Sequence, residues 1–146
     1  DNNGLVLCTA TDLFTNNERK LLRIKNDLSV DTIGWQPNEI LMSVWFNTPN
    51  KIITAGGGIF FRVNEQWIEQ IPLPLYLIKR IRAAELNDIW AVGGFGVVNW
   101  YNGLNWVQIQ QLELQGGNYN SVDIKNNRVC IVGYNGIKAV IALSNN

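Results

Sequence analysis

The chain has 146 residues, of which 47% are hydrophobic and 16% charged. This composition excludes a disordered chain, because so many Trp, Ile, Leu and Val residues can bury enough surface to order the backbone. The twelve basic and twelve acidic residues cancel, so no net field attracts a nucleic acid or an anionic membrane. We therefore expect neither of these as a partner.

No uninterrupted apolar stretch is long enough to cross a membrane as a helix. The longest candidate, residues 71–78, contains Pro72 and Pro74, whereas a spanning helix needs roughly 18 apolar residues. The sequence also begins without Met and without a basic-then-apolar leader. We therefore interpret the chain as a processed, mature protein or as a fragment of a longer one.

The sequence contains an internal repeat, and a weakly similar copy of it lies at the start of the chain. In this copy, the repeat and the local sequence predict different secondary structures. Residues 21–28 match residues 60–67 at an offset of 39, which predicts a strand. Locally, Thr15 to Lys25 is instead typical of a capping box that opens an amphipathic helix. We favour the strand, because agreement among repeats outweighs one local pattern, and the helix is the alternative.

Three later segments repeat one another more clearly. Residues 51–64, 88–103 and 128–137 each contain a short apolar run followed by glycine residues. Trp67 and Trp106 follow the first two segments and are 39 residues apart, and the second and third segments begin 40 residues apart. This regular period indicates a repeated unit of supersecondary structure.

Each full unit contains four short apolar segments that are separated by turn residues. In the second unit they are residues 76–84, 89–92, 97–101 and 106–112. The last turn holds Asn102 and Gly103, which is a strong hairpin signal. The second segment is continuously apolar, as in a strand that is buried on both faces, and the glycines after it allow a tight turn and close backbone packing. Four strands in about 40 residues is the spacing of a propeller blade.

The second unit also carries a motif that resembles known repeats. Ile89 to Gly94 reads Ile-Trp-Ala-Val-Gly-Gly, and Asn102, Gly103 and Trp106 follow in the next hairpin. This pattern resembles the repeats of bacterial propellers of the photosystem II assembly-factor type and of Asp-box, or sialidase-like, propellers, although Asn102 stands where the Asp-box has Asp. The resemblance is strong in residues 51–106 and implies a propeller fold and a secreted or cell-surface bacterial protein. It implies no activity, because the Asp-box is a structural hairpin.

The repeats predict an all-β chain of about fourteen short strands. We expect a partial blade in residues 1–36, complete four-stranded antiparallel blades in residues 37–74 and 75–114, and a partial blade in residues 115–146. The first four residues align with a turn before a second strand, and the last three fall where a third strand turns into a fourth. So few blades do not close a ring comfortably. We therefore expect that missing blades of a longer chain, or a second copy in a homo-oligomer, complete the propeller.

The sequence offers no recognisable catalytic or metal-binding constellation. It contains no His, and Cys8 and Cys130 lie in apolar runs, where we expect buried free thiols. The Arg residues match no carboxylate clamp of the sialidase kind. The glycine-rich residues 55–58 and 93–96 lack the helix and the Lys-Ser/Thr of a phosphate loop. The Glu residues in or near turns are expected to be solvated, namely Glu65, Glu69, Glu85 and Glu113. We therefore expect no enzyme activity, no metal and no cofactor.

Two function classes stay open, a protein-binding or scaffolding role and carbohydrate binding, with a fragment of a sialidase-like hydrolase as a further alternative. Aromatic rings can stack on sugars, but we expect three Trp residues in the core, namely Trp67, Trp90 and Trp106. Four other aromatic residues are less constrained, namely Trp45, Trp100, Tyr119 and Tyr134.

The candidate ligand-binding residues are Arg80, Arg82, Phe95, Tyr134 and Asn135. Together with Lys79, the two Arg residues lie in the first strand of the second unit, which lines the central channel of a propeller. They form either an anion-binding wall or a set of solvated side chains. Phe95, Tyr134 and Asn135 lie in turns that are expected to flank the same channel mouth.

Overall fold

A computed structural model describes residues 6–11, 19–37, 39–70 and 76–145, which form fourteen strands in four antiparallel sheets. Sheet 1 holds β1 (Val6–Thr11), β2 (Arg19–Ile24) and β3 (Val30–Ile33). Sheet 2 holds β4 (Leu41–Thr48), β5 (Lys51–Gly56), β6 (Ile59–Val63) and β7 (Gln66–Glu69). Sheet 3 holds β8 (Ile78–Glu85), β9 (Asp88–Gly93), β10 (Val98–Tyr101) and β11 (Trp106–Gln108), followed by a short 3-10 helix at Gln110–Leu112. Sheet 4 holds β12 (Asn118–Lys125), β13 (Arg128–Asn135) and β14 (Lys138–Asn145).

The predicted fold class, with two four-stranded and two three-stranded sheets, is confirmed within these ranges. The helix alternative for Thr15 to Lys25 is wrong over Arg19–Ile24, which forms β2. Part of the helix signal falls on residues 12–18, and the first-turn alignment falls on residues 1–5. Both segments lie outside the described residues, as do residues 71–75 of the longest apolar stretch. In the part of the chain that the structure describes, no helix has the length and apolar character needed to cross a membrane.

Apolar clusters fill the spaces between consecutive sheets. Leu7 and Leu21 of sheet 1 pack with Leu41 and Ile52 of sheet 2. Between sheets 2 and 3 the buried residues are Ile53, Ala55, Ile59, Ile78, Ile81, Ile89, Ala91 and Val97. Between sheets 3 and 4 they are Trp90, Val92, Val98, Tyr119, Val122, Val129 and Ile131. The molecule is thus a stack of sheets that contact one another face to face, with burial of apolar area as the main stabilising contribution.

The second strands of sheets 2 and 3 are buried on both faces, as the continuous apolar runs predict. In β5, Ile52 packs toward sheet 1 and Ile53 toward sheet 3. In β9, Ile89 packs toward sheet 2 and Trp90 toward sheet 4. A strand enclosed in this way needs apolar residues at every position rather than at alternate positions.

The first strands of sheets 2, 3 and 4 share a β-bulge at one register position. The bulge skips Met42 in β4, Lys79 in β8 and Asn120 in β12. A bulge leaves one residue outside the ladder and re-aims its side chain. The three bulge residues are therefore equivalent in the repeat although they differ in chemistry.

A glycine stands opposite the start of each of these strands. Gly56 pairs with Leu41, Gly93 with Ile78 and Gly133 with Tyr119. A Cβ atom at any of the three glycines would collide with a main-chain carbonyl oxygen just before or at the start of the paired strand. Close backbone approach, rather than a positive φ, therefore requires glycine here.

Tryptophan side chains join neighbouring parts of the stack. The Trp67 indole donates a 2.6 Å hydrogen bond to the carbonyl of Gly34 and packs edge-on against Trp35, which ties β7 to the end of sheet 1. In sheet 3, the indoles of Trp90 and Trp100 both donate to one carboxylate oxygen of Asp88, at 2.9 and 2.8 Å. Asp88 thus links the side chains of β9 and β10 at one end of this strand pair.

The β10–β11 hairpin turns at the Asn-Gly pair, as the sequence predicts. The Asn102 Oδ1 atom accepts hydrogen bonds from the backbone N–H groups of Leu104 and Asn105, both at 2.9 Å. Gly103 has φ +91°, a value that favours glycine. An amide oxygen therefore supplies the acceptor in this turn.

Candidate functional site

One end of sheets 3 and 4 gathers aromatic and amide side chains at the point where β8 and β12 begin and β9 and β13 end. We call this surface the rim. It consists of Tyr76, Lys79, Phe95, Asn118, Asn120 and Tyr134. The rim follows from the repeat, because equivalent strands of neighbouring sheets begin and end at the same edge of the stack.

The bulge residues of β8 and β12 meet directly at the rim. The Lys79 ammonium donates a 3.0 Å hydrogen bond to Asn120 Oδ1 and lies 5.9 Å from the centroid of the Tyr134 ring. This second distance is within the range of a cation–π contact. The Asn118 amide donates a 2.9 Å hydrogen bond to the Tyr134 hydroxyl. These contacts fix the Tyr134 ring in position, and 41% of its surface stays exposed.

Phe95 lies at the tip of the β9–β10 turn. The backbone N–H of Val97 donates to the carbonyl of Gly94 at 3.1 Å, and Phe95 and Gly96 have φ values of +54° and +68°. Positive φ at both central residues is typical of a type I′ hairpin turn, in which Asn and Gly are preferred. A bulky side chain in this conformation is an outlier that costs about 1 kcal/mol. The ring is nevertheless 58% exposed, so its own burial offsets little of that cost.

The Phe95 turn is connected to the rest of the rim. Its ring packs against Tyr76 with a centroid distance of 4.8 Å and an inclination of 40°. Next to it, Gly94 forms a β-bridge to Asn118, which in turn bonds Tyr134. The two aromatic groups of the rim are therefore joined through one short stretch of backbone.

The two predicted arginines lie further along β8. Both are half-buried, and Arg82 Nη1 donates hydrogen bonds to the carbonyls of Ile81 at 2.7 Å and Val44 at 3.4 Å. Burial, and to a lesser extent the positive charge of Arg80, lowers the pKa of the Arg82 guanidinium, and Asp123 opposes this change. The Arg82 side chain thus bridges the first strands of sheets 2 and 3 through main-chain acceptors.

The structure divides the predicted site residues into two groups. Phe95 and Tyr134 lie on the rim and Asn135 follows Tyr134 at the end of β13, whereas Arg80 and Arg82 lie beyond the rim toward the middle of β8. The prediction missed Asn118 and Asn120, which hold Tyr134 and Lys79. Lys79 and Asn120 occupy the same bulge position of β8 and β12, an equivalence that becomes visible only in the strand ladders.

Most of the aromatic residues considered for sugar stacking are engaged in packing. Trp45 packs against the cluster between sheets 2 and 3, and Trp100 packs with Trp90. Tyr119 is 1% exposed, its hydroxyl donates a 3.0 Å hydrogen bond to the Leu112 carbonyl, and burial raises its pKa. Trp90 is buried as predicted, whereas Trp67 and Trp106 are only partly buried.

Other candidate chemical groups lie apart from the rim. The four carboxylates that the sequence places in or near turns are exposed, as predicted, namely Glu65, Glu69, Glu85 and Glu113. Within the described ranges, no three His, Cys, Asp or Glu residues come together in a group that could hold a metal ion. Cys130 is a free thiol, but it is half-buried rather than fully buried as predicted, because the described residues cover β13 on one face only.

Comparison with known proteins gives a structural match. No model of a known protein family and no curated protein sequence matches the chain. Among solved structures, YCF48 from Cyanidioschyzon merolae superposes on 95% of this chain with a TM-score of 0.71 and 14% sequence identity. YCF48 is a photosystem II assembly factor with a propeller fold. The chain has a β-propeller fold.

The match covers 50% of the YCF48 chain, so this chain spans about half the length of its structural neighbour. The four sheets correspond to propeller blades, and the rim lies at one end of two adjacent blades. At 14% identity the similarity establishes the fold and no shared ligand.

Proposed function

We propose that this chain is a non-catalytic binding module of the propeller type, which holds a segment of a partner protein at the rim. The single observation that carries the proposal is Phe95, an exposed aromatic ring at a turn position that disfavours it. Strained residues that neighbouring structure holds in place cluster at ligand sites. The turn would be more stable with Asn or Gly at position 95. Ligand binding would explain why Phe occupies this position instead.

The chemistry of the rim fits a protein segment. Exposed aromatic rings on a rigid scaffold are the side chains that most often dominate protein interfaces. The Lys79 ammonium and the Asn118 amide can meet backbone carbonyl or carboxylate groups beside those rings. The rim therefore combines apolar contact area with polar groups that orient a peptide, and the expected ligand carries an apolar or aromatic residue next to an acidic one.

Carbohydrate binding is the second candidate, because Phe95 and Tyr134 expose ring surface of the kind on which sugars stack. Two contacts favour a protein ligand over a sugar. Lys79 lies over the Tyr134 ring, and Tyr76 is inclined by 40° against Phe95 instead of extending one flat platform. Both contacts reduce the flat aromatic area that a sugar ring needs.

Replacement of Phe95 by Asn separates binding from stability. Asn suits the type I′ turn, so we expect Phe95→Asn to melt at the wild-type temperature or above it. We expect the same variant to bind at least tenfold more weakly to peptides selected on the wild-type protein from a random display library, because an aromatic anchor is lost. Calorimetric titration of the selected peptides measures the affinity.

Leu104→Ala is the matched control, since Leu104 is an apolar side chain that is 84% exposed in the β10–β11 hairpin, outside the rim. It should leave peptide affinity unchanged. Peptides whose binding survives both Phe95→Asn and Tyr134→Ala would contradict a rim site. If no peptides are selected and the wild-type protein gives a glycan-array signal that Phe95→Asn loses, the ligand of the rim is a sugar and not a protein segment.

A further inference from the structure

Sheet 4 has one apolar face that no described residue covers. The face consists of Cys130, Val132, Ile141 and Leu143, which pair across β13 and β14 as Cys130 with Leu143 and Val132 with Ile141. Val132 is 38%, Ile141 68% and Leu143 77% exposed. We call this surface the sheet 4 outer face. Contiguous exposed apolar surface of this kind marks an interaction site.

Equivalent positions in the other sheets indicate what kind of surface fits the sheet 4 outer face. The register positions of Val132 and Ile141 are occupied in sheet 3 by Val92 and Val98, which pair with each other and are 0% and 1% exposed. In sheet 2 the same positions hold Ala55 and Ile59, which are 1% and 0% exposed. In both cases the following sheet covers the residues. The sheet 4 outer face is therefore chemically an interior surface, and a further propeller sheet is the shape that fits it.

Sheet 1 has a second face with apolar residues on the opposite side of the stack, on which Leu22 and Ile24 are half-buried and Val30 is exposed. Leu7, Leu21 and Ile33 point toward sheet 2, so the alternate positions Leu22, Ile24 and Val30 lie on the outer side. Ile24 and Val30 pair directly, and Val30 is 56% exposed. We call this surface the sheet 1 outer face.

We propose that the sheet 4 outer face binds the sheet 1 outer face of a second copy of this chain, and that two copies close one propeller ring. In a twofold arrangement each copy supplies one face to each of two identical contacts, so both apolar faces of both copies are covered. The length of the chain agrees with this occupant, because one copy covers 50% of the YCF48 chain, so two copies together have about the length of that chain.

The sheet 4 outer face also has room for partner side chains. A groove of about 760 Å³ runs along it between the apolar residues Cys130 and Leu143 and the charged residues Asp123, Lys125 and Arg128. Side chains of a facing sheet would fill this groove, as Trp90 and Trp100 fill the space beside sheet 4 on its other face. The charged residues would form the polar edge of the contact.

Light scattering after size-exclusion chromatography tests the proposal on the chain itself. We expect a species of twice the 16.5 kDa mass of one chain. Ile141→Glu on sheet 4 and Val30→Lys on sheet 1 should each weaken the dimer at least tenfold, although the two residues lie on opposite sides of one copy. Ile137→Lys is the control, because Ile137 is fully exposed in the β13–β14 turn, and it should stay dimeric.

Mixing the two weakened variants distinguishes this contact from other dimers. An equimolar mixture of Ile141→Glu and Val30→Lys can form a heterodimer with one unmodified contact and one contact that carries opposite charges, so the dimer should return. A wild-type monomer with a cooperative melt would overturn the proposal and favour further blades of a longer chain as the natural cover. Larger aggregates, or a dimer that neither single variant weakens, would also overturn it.

Discussion

Gly93→Ala is expected to destabilise the protein by more than about 3 kcal/mol, which places it among the most damaging single substitutions. The new Cβ atom would collide with the carbonyl oxygen of Leu77 and would lie 2.9 Å from the Cα atom of Ile78. Both are backbone atoms, so β8 would have to move away from β9 and open the cluster that contains Ile78 and Ile81. Urea unfolding followed by circular dichroism measures the loss.

The adjacent glycine is a matched control for this prediction. At Gly94 a Cβ atom would lie 3.6 Å from Asn118 Oδ1, which is an ordinary van der Waals distance. Gly94→Ala should therefore change the free energy of unfolding by no more than about 0.5 kcal/mol. Equal stability of the two variants would show that close approach of β8 and β9 does not explain the glycine.

Asp88→Ala is expected to cost about 2–3 kcal/mol of unfolding free energy. The substitution removes an ionised acceptor from two indole N–H donors, and hydrogen bonds to charged groups contribute about 1.5–3 kcal/mol each. Because Asp88 is only half-buried, water can replace part of the lost hydrogen bonding to the indoles. The expected loss of unfolding free energy is therefore smaller than the sum of the two hydrogen-bond contributions. Thermal unfolding should move to lower temperature, and the fluorescence of Trp90 and Trp100 should change with it.

Two further carboxylate variants calibrate the Asp88 result. Asp88→Asn keeps an oxygen acceptor without its charge and should lose about half as much as Asp88→Ala. Asp31→Ala removes an exposed ion pair with Lys25, whose charged atoms are 2.7 Å apart, and should cost no more than about 0.5 kcal/mol. If Asp88→Ala cost as little as Asp31→Ala, the indole hydrogen bonds would not stabilise sheet 3.

The strand content and the grouping of strands into sheets could be predicted because each repeat contains the same pattern of apolar runs and turn residues. One apolar run alone is ambiguous, but β5 and β9 carry the same run before the same glycine. The repeat also predicted β2 against a local helix signal. Agreement between distant copies thus outweighed local propensity.

The orientation of residues in the first sheet could not be predicted from the same alignment. The match of residues 21–28 to residues 60–67 equates Leu21 with Phe60. Leu21 packs toward sheet 2, the following sheet, whereas Phe60 packs against Trp35 on the side of the preceding sheet. A shift of one residue reverses the faces of a strand, and this segment is too diverged from the other copies to reveal the shift.

The rim was predicted only in part, because its contacts depend on register rather than on residue type. Phe95 and Tyr134 could be found as aromatic residues in turns. The contact of Lys79 with Asn120 depends on a bulge that occurs at one position in three strands. A bulge has no composition signal of its own, so the pairing of these side chains becomes visible only when the ladders are known.

Amide hydrogen exchange resolved to single strands tests most directly the central claim, that the chain is a stack of propeller sheets in which β5 and β9 are interior strands. These two strands are paired on both edges and buried on both faces, so their amides should exchange last. The amides of β14 that point away from β13 should exchange among the first, because within the described residues β14 is an edge strand. Equal protection of β14 and β9, or rapid exchange throughout β5 and β9, would contradict the account.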